Sequence, residues 1–270
     1  NCYFEGKGVD QDYSYAMEWF FKADAQNNAD AQNGLGLCYY NGYGVDQDYV
    51  KAVEYFTKAA EQGHVMSQTY LGICYYNGYG VEQDYAKAAE WNAKAAEQGD
   101  SEALKELGLS YYLGEGVEQS YDKAIELWLL ASEKDNADAQ NYLGNCYYEG
   151  KGVDQDYAVA VEWYTKAATL GHADAQNTLG WCYYNGLGTE RNDSKAFEWF
   201  KNSSNQNHAQ AQYNQGNCYY HGRGVKQNYE QSFECYRKSA EQGVAEAQFS
   251  LGNCYFEGKG VDQDYSYAME

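Results

Sequence analysis

Proline is missing from the whole chain of 270 residues, and basic residues are scarce, 19 against 40 acidic ones. The first absence excludes stiff proline-rich linkers. The second leaves a formal charge of −21, with no basic footprint for nucleic acid and no attraction to anionic membranes. No run approaches the roughly 18 apolar residues of a spanning helix, so membrane insertion is not expected. No Cys-x-x-Cys pair occurs, which removes the usual zinc spacings. A phosphate-binding G-x-x-x-x-G-K-[ST] string is also absent, and no Ser/His/Asp or Cys/His set converges. No catalytic residue, cofactor or metal is therefore expected, and the chain reads as non-enzymatic. The N-terminus shows no signal-peptide pattern and leaves the compartment open.

What is present is a ladder. Gly36, Gly72, Gly108, Gly144, Gly180, Gly216 and Gly252 stand 36 residues apart. A fixed period in this range means stacked copies of one supersecondary unit. Residues 1–18 also recur unchanged as residues 253–270, an offset of seven periods. The expected organisation is one solenoid over residues 1–270, about seven repeats, cut within a repeat at both ends.

Residues 30–63 serve as the type unit. Ala31, Leu35, Cys38 and Tyr39 fall on one helical face. The loop Gly42-Tyr43-Gly44-Val45 ends that helix, with glycine supplying positive φ. Asp48 is a good N-cap for a second helix, and its equivalents are Asp12, Asp84, Ser120, Asp156, Asn192 and Asn228. Ala52, Val53, Phe56, Ala59 and Ala60 form the second apolar stripe. Gly63 stops it, and the matching Asn27, Gly99, Asp135, Gly171, Asn207 and Gly243 all tolerate a left-handed backbone. Gly36 sits inside the first helix, where it costs about 0.8–1 kcal/mol relative to alanine. A cost repeated in every copy implies close approach of the second helix, with no room for a Cβ.

The string LGICYYNGYGVEQDYAKAAEWNAKAAEQG (71–99) resembles the Sel1-like repeat, a cousin of the tetratricopeptide repeat. The LG pair, the YY-x-G-x-GV loop, the DY-x-KA opening and the KAAEQG ending carry the resemblance, which covers the chain. It implies an all-α fold: a right-handed superhelical α-solenoid of 36-residue helix-turn-helix repeats, first helices on the concave side. It also implies an adaptor or scaffold acting on other proteins. Gln215, Ser110 and the segment Thr189-Glu190-Arg191-Asn192 depart from the pattern and put local packing in question.

Seven cysteines (Cys2, Cys38, Cys74, Cys146, Cys182, Cys218, Cys254) share one repeat position and read as small buried hydrophobes. Neighbouring copies about 8–10 Å apart are too distant for a ladder of disulfides. Cys235 stands where other repeats hold Trp or Tyr, so a Cys218–Cys235 bridge is a candidate. Asp46-Gln47-Asp48 tempts a calcium reading, but no EF-hand pattern accompanies it and Asp48 already caps a helix. His64, His172 and His208 share a position beside the helix break and are expected to face solvent. Asn192 and Asn202 open N-glycosylation sequons, which matter only outside the cell.

The 31 tyrosines concentrate in doublets. The first of each pair lies on the apolar stripe; the second turns about 100° away. By the resemblance, the concave face carries Asn33, Tyr40, Asn41, Tyr76, Asn141, Asn145, Tyr148, Tyr184, Asn217 and Tyr220. Such a Tyr/Asn groove with acidic edges suits a basic peptide or a glycan. Alternatively, these tyrosines only pack between repeats while their hydroxyls stay wet. The duplicated segment implies either a longer tandem array or head-to-tail stacking of copies into a filament. The leading expectation is a non-enzymatic scaffold that contacts other proteins or copies of itself. The alternative is an adaptor with a peptide or glycan in its groove. An extracellular filament or envelope-associated setting is preferred to a cytoplasmic one.

Overall fold

The computed structural model describes residues 2–6, 8 and 10–266. The side chain of Cys2 and the closing residues Ala268, Met269 and Glu270 lie outside the described residues. The chain forms two compact units, Asn1–Asn136 and Ala137–Glu270. The first holds α1 (Cys2–Glu5), α2 (Tyr13–Asp24), α3 (Ala29–Asn41), α4 (Tyr49–Glu61), α5 (Val65–Asn77), α6 (Tyr85–Glu97), α7 (Ser101–Leu113) and α8 (Tyr121–Ser132). The second holds α9 (Ala137–Glu149), α10 (Tyr157–Thr169), α11 (Ala173–Asn185), α12 (Asp193–Ser204), α13 (Ala209–His221), α14 (Tyr229–Glu241) and α15 (Ala245–Glu257). Within each unit every helix packs on its sequence neighbours, as a solenoid of helical hairpins requires.

The expected start signals all act. Asp12, Asp48, Asp84, Ser120, Asp156, Asn192 and Asn228 each accept a backbone N–H of the first helical turn. Each such cap stabilises its helix by about 1 kcal/mol. The stops act as well: Asn27, Asp135 and Asn207 have φ of 59°, 56° and 64°, beside glycines at the equivalent positions.

The two loop glycines have different jobs. Gly78 is the left-handed cap of α5, at φ 73°. Gly80 faces the preceding repeat, where a Cβ would come within 2.3 Å of the Tyr49 carbonyl oxygen. The loop is thus a turn and also an inter-repeat contact, the second role being invisible in the turn chemistry alone.

The glycine inside the first helix has the reason expected of it, with one refinement. A Cβ at Gly36 would lie 2.4 Å from the Phe56 ring, at Gly108 2.5 Å from Trp128, at Gly144 2.6 Å from Tyr164 and at Gly180 2.8 Å from Phe200. What fills the space first is a large side chain of the second helix, ahead of its backbone. These aromatics are among the most deeply buried groups of the chain. The cysteines at the shared position pack beside them, and Cys38, Cys74, Cys182 and Cys218 have no exposed surface. Burial pushes the Cys74 thiol up to about 12 and keeps it an unreactive core group.

Two expectations need correction. Cys218 and Cys235 are free thiols. The position of Cys235 corresponds to Tyr55, which stacks on Tyr39 at 5.8 Å and not on the neighbouring Cys38. The helix pairing therefore turns Cys235 toward the tyrosine next to Cys218, and its Sγ lies 3.7 Å from Gln215 Oε1. His64, His172 and His208 do not face solvent; their side chains are 19%, 14% and 19% exposed. Each caps the next helix through Nδ1, which accepts the N–H of Ser67, Ala175 or Ala211. With Nδ1 accepting, a neutral ring carries its proton on Nε2. That nitrogen faces an aspartate one repeat earlier: Asp30, Asp138 or Asp174.

Candidate functional site

Most of the predicted groove residues are tied into the scaffold. Asn33 is only 8% exposed, and its Oδ1 accepts the Ser67 hydroxyl of the next repeat at 2.9 Å. Asn141 is buried to the same degree. Asn41 sends its amide back to the Leu37 carbonyl, closing its own helix end. Asn145 and Asn217 each accept the hydroxyl of a second-helix tyrosine, Tyr164 at 2.8 Å and Tyr236 at 2.7 Å. Asn192 spends its Oδ1 on a helix cap, while Asn202 stands exposed on α12.

The second tyrosine of each doublet is also held. Tyr40, Tyr76, Tyr148 and Tyr220 meet the first tyrosine of the following helix edge-on, with ring centroids 5.1–5.3 Å apart. A glutamine clamps the backbone of the same residue: Gln47, Gln83, Gln155 and Gln227 donate to the carbonyls of Tyr40, Tyr76, Tyr148 and Tyr220. Three of these rings further meet the loop residue 39 positions on. Tyr40 packs on Tyr79, Tyr76 donates to Glu115 at 2.8 Å, and Tyr220 accepts from Lys259 at 2.9 Å. Burial is the chief cause that pushes the Tyr40 and Tyr76 phenols up to about 12.

Tyr184 is different. Its repeat has Asp193 where others have the partner tyrosine, and Arg191 where others have the clamping glutamine. Arg191 and Asp193 pair with each other through two 3.0 Å hydrogen bonds. Tyr184 instead stacks on Trp181, with centroids 5.9 Å apart and planes inclined by 15°. Arg223 donates to its hydroxyl and lies over its ring at 5.0 Å. Trp181 replaces the Leu37 type on the face of α11 and remains 43% exposed.

A cleft of about 280 Å³ opens at this point, walled by Trp181, Tyr184, Phe200 and Tyr213. Gln210, Asn214, Asn217 and Glu246 complete its lining. Asn214 gives its amide to Asn177 at 2.9 Å, and Asn217 accepts from Tyr236, so both amides are half committed. Of the ten predicted residues, the structure brings Tyr184 and Asn217 together here. Trp181 and Glu246 were missed. Their signal was the break in repeat pattern at Trp181, Arg191 and Asp193.

A polar ladder was missed as well. Gln62, Gln98, Gln206 and Gln242 donate to Gln32, Gln68, Gln176 and Gln212. Gln62 and Gln242 also reach Asn27 and Asn207 of the preceding repeat. The 36-residue recurrence of these glutamines was its visible trace. Among the described residues, no cluster of three or more His, Cys, Asp or Glu is arranged to hold a metal ion. No described helix is long and apolar enough to cross a membrane.

Hairpins of two short helices, stacked through an aromatic side chain set against a helix glycine, define a tandem-repeat α-solenoid. The Sel1 repeat model matches residues 1–28, 29–64, 65–100, 101–136, 137–172, 173–208, 209–244 and 245–270, and the chain belongs to this family. Such proteins typically serve as protein–protein interaction scaffolds and are generally non-enzymatic. The structure is similar to that of c5321, a protective antigen of uropathogenic Escherichia coli strains with an SLR fold. The TM-score is 0.86 at 38% identity, over 94% of this chain and 54% of that one. The chain thus spans about half of that antigen's length. It is also similar to a Sel1 repeat protein from Oxalobacter formigenes, with a TM-score of 0.76 at 26% identity over 88% and 94% of the two chains. No curated protein matches the sequence.

Proposed function

We propose that the chain is a non-enzymatic adaptor that captures an extended segment of a partner protein on its first-helix face, with the Trp181–Tyr213 cleft as anchor. The observation that carries this reading is the cleft itself. Elsewhere in the described chain the second tyrosine of each doublet is held by the partner tyrosine and the clamping glutamine of its own repeat; here Asp193 and Arg191 replace both, Tyr184 is held by Trp181 and Arg223 instead, and Trp181 stands in solvent. Exposed aromatics above a packed base are the usual anchors of protein recognition.

The test is selection of a random heptapeptide display library on the intact chain, followed by binding to a Trp181→Ser/Tyr213→Ser variant with unchanged helical circular dichroism. Enriched peptides should lose most of their affinity for the variant. Peptides that bind both proteins equally, or chitotetraose bound where no peptide is, would overturn the reading.

A second reading rests on the identity of residues 1–18 with residues 253–270. In it the chain stacks with further copies of itself. Concentration-dependent fibres in electron micrographs of the purified chain would support it; monodisperse particles at all concentrations would remove it.

A further inference from the structure

We infer that the Trp181–Tyr213 cleft takes a cationic side chain, an arginine or lysine carried by a partner peptide. The inference rests on the adaptor reading and names what its anchor recognises. Three observations carry it.

The first is charge. Glu246 is the cleft's one ionisable carboxylate, and it forms no ion pair with a described residue. It sits on a chain with formal charge −21. An anionic ligand would meet that carboxylate with no basic group in the lining to offset it. Arg223 is not part of the lining; its guanidinium is committed to Tyr184.

The second is the wall. Trp181 has one face against Tyr184 and is 43% exposed; Tyr213 packs on Tyr236 with ring planes inclined by 38°, and its hydroxyl makes no described hydrogen bond. Aromatic faces attract cations through the ring quadrupole, most strongly for Trp. The protein already uses this chemistry elsewhere: Lys94 lies 3.9 Å from the Trp91 ring centroid, Lys166 3.9 Å from that of Trp163, and Lys22 4.0 Å from that of Trp19. Trp19 and Trp181 are the exposed tryptophans, and among the described residues no cation lies over Trp181.

The third is what the rim lacks. A sugar needs several free donor and acceptor pairs. Here one end of Asn214 and one end of Asn217 are spent inside the fold, which leaves Gln210 as the one amide of the lining with no described bond. A guanidinium needs only an acceptor and a flat apolar surface. The cleft offers both.

The experiment uses the intact chain and three probes: the peptide Ac-Gly-Ser-Arg-Ser-Gly-amide, the same peptide with citrulline for arginine, and chitotetraose. Binding is read by NMR titration of the tryptophan indole N–H signals, with Trp181 assigned from a Trp181→Phe spectrum. The arginine peptide should move the Trp181 signal and bind about 10-fold more tightly than the citrulline peptide. Glu246→Gln should weaken the arginine peptide about 3- to 10-fold, leave the citrulline peptide unchanged, and reduce the salt dependence of binding. Equal binding of the two peptides would overturn the cationic assignment while leaving the adaptor reading intact. Chitotetraose bound in place of either peptide, or no shift of Trp181 with any probe, would overturn both.

Discussion

The same pair of positions is filled differently in the two units. Nineteen residues separate a first-helix face position from the second-helix residue that presses on the glycine. In unit 1 the pairs are Leu37/Phe56, Ile73/Asn92 and Leu109/Trp128; in unit 2 they are Asn145/Tyr164, Trp181/Phe200 and Asn217/Tyr236. Where the buried ring is tyrosine, an asparagine above it takes the hydroxyl. Where it is phenylalanine or tryptophan, the upper residue is apolar. The loops differ in parallel. Tyr43 and Tyr79 stack on Tyr13 and Tyr49 in unit 1, at 4.6 and 4.9 Å, whereas Arg223 and Lys259 lie over Tyr184 and Tyr220 in unit 2. The hairpin geometry is held by glycines and caps common to both units. The face residues, freed from that duty, set which polarity each repeat presents.

The largest expected break lies at the shared contact. Gly108→Leu drives carbon into the Trp128 indole, whose Nε1 already donates to the Lys105 carbonyl at 3.1 Å. Urea denaturation should show a loss of about 3 kcal/mol or more, or no folded unit 1 at all. Unchanged stability would mean that the ring has somewhere else to go.

A double-mutant cycle sharpens the polarity difference. Tyr164→Phe and Asn145→Leu should each cost about 1–2 kcal/mol, because each strands the other's polar group. The double variant rebuilds the Leu37/Phe56 pair of unit 1 and should recover most of that loss. Additive losses would show that the hydrogen bond couples nothing.

Asn92 is the misfit of unit 1. It stands among the buried rings at 3% exposure, and its Oδ1 has no partner. Asn92→Phe restores the pattern of Phe56 and Phe200 beside Gly72. It should raise stability by about 1–2 kcal/mol, read as a higher melting temperature. A lower one would show that the unit has closed around the smaller side chain.

The smallest effect concerns the histidine caps. Asn28 caps α3 without an aspartate partner, through a 2.8 Å bond from the Ala31 N–H, so His208→Asn should keep the cap and lose only Asp174. The hydrogen bond from His208 is the main cause that holds the Asp174 carboxyl below the usual carboxylate range. A carboxyl depressed in the folded state adds stability that is complete above its unfolded value near 3.9 and vanishes as pH falls through the folded one. The variant should therefore lose less than about 1 kcal/mol at pH 6, since Asp174 is exposed, and the difference should shrink between about pH 5 and pH 2. A pH-independent difference would assign the loss to the cap.

Caps, stops and the glycine contact were legible because each is local or recurs at a fixed spacing. Asp48 must lie just before an apolar stripe to cap it, and seven copies of that arrangement leave little freedom. The cleft was half legible. Tyr184 and Asn217 stood out as members of a pattern, while Trp181 and Glu246 matter through departures from it. The histidines were misplaced because an imidazole beside a helix break looks exposed until the aspartate of the preceding repeat is set against it.

Period, helix boundaries and the family follow from the chain alone, because they depend on backbone capping and on side-chain spacing within about 40 residues. What each doublet tyrosine packs against, and that Trp181 is left exposed beside one of them, depended on the tertiary structure. Those outcomes rest on side-chain contacts both within a repeat, 7–9 residues apart, and between repeats, 30–39 residues apart, where one substituted partner decides what a ring packs against.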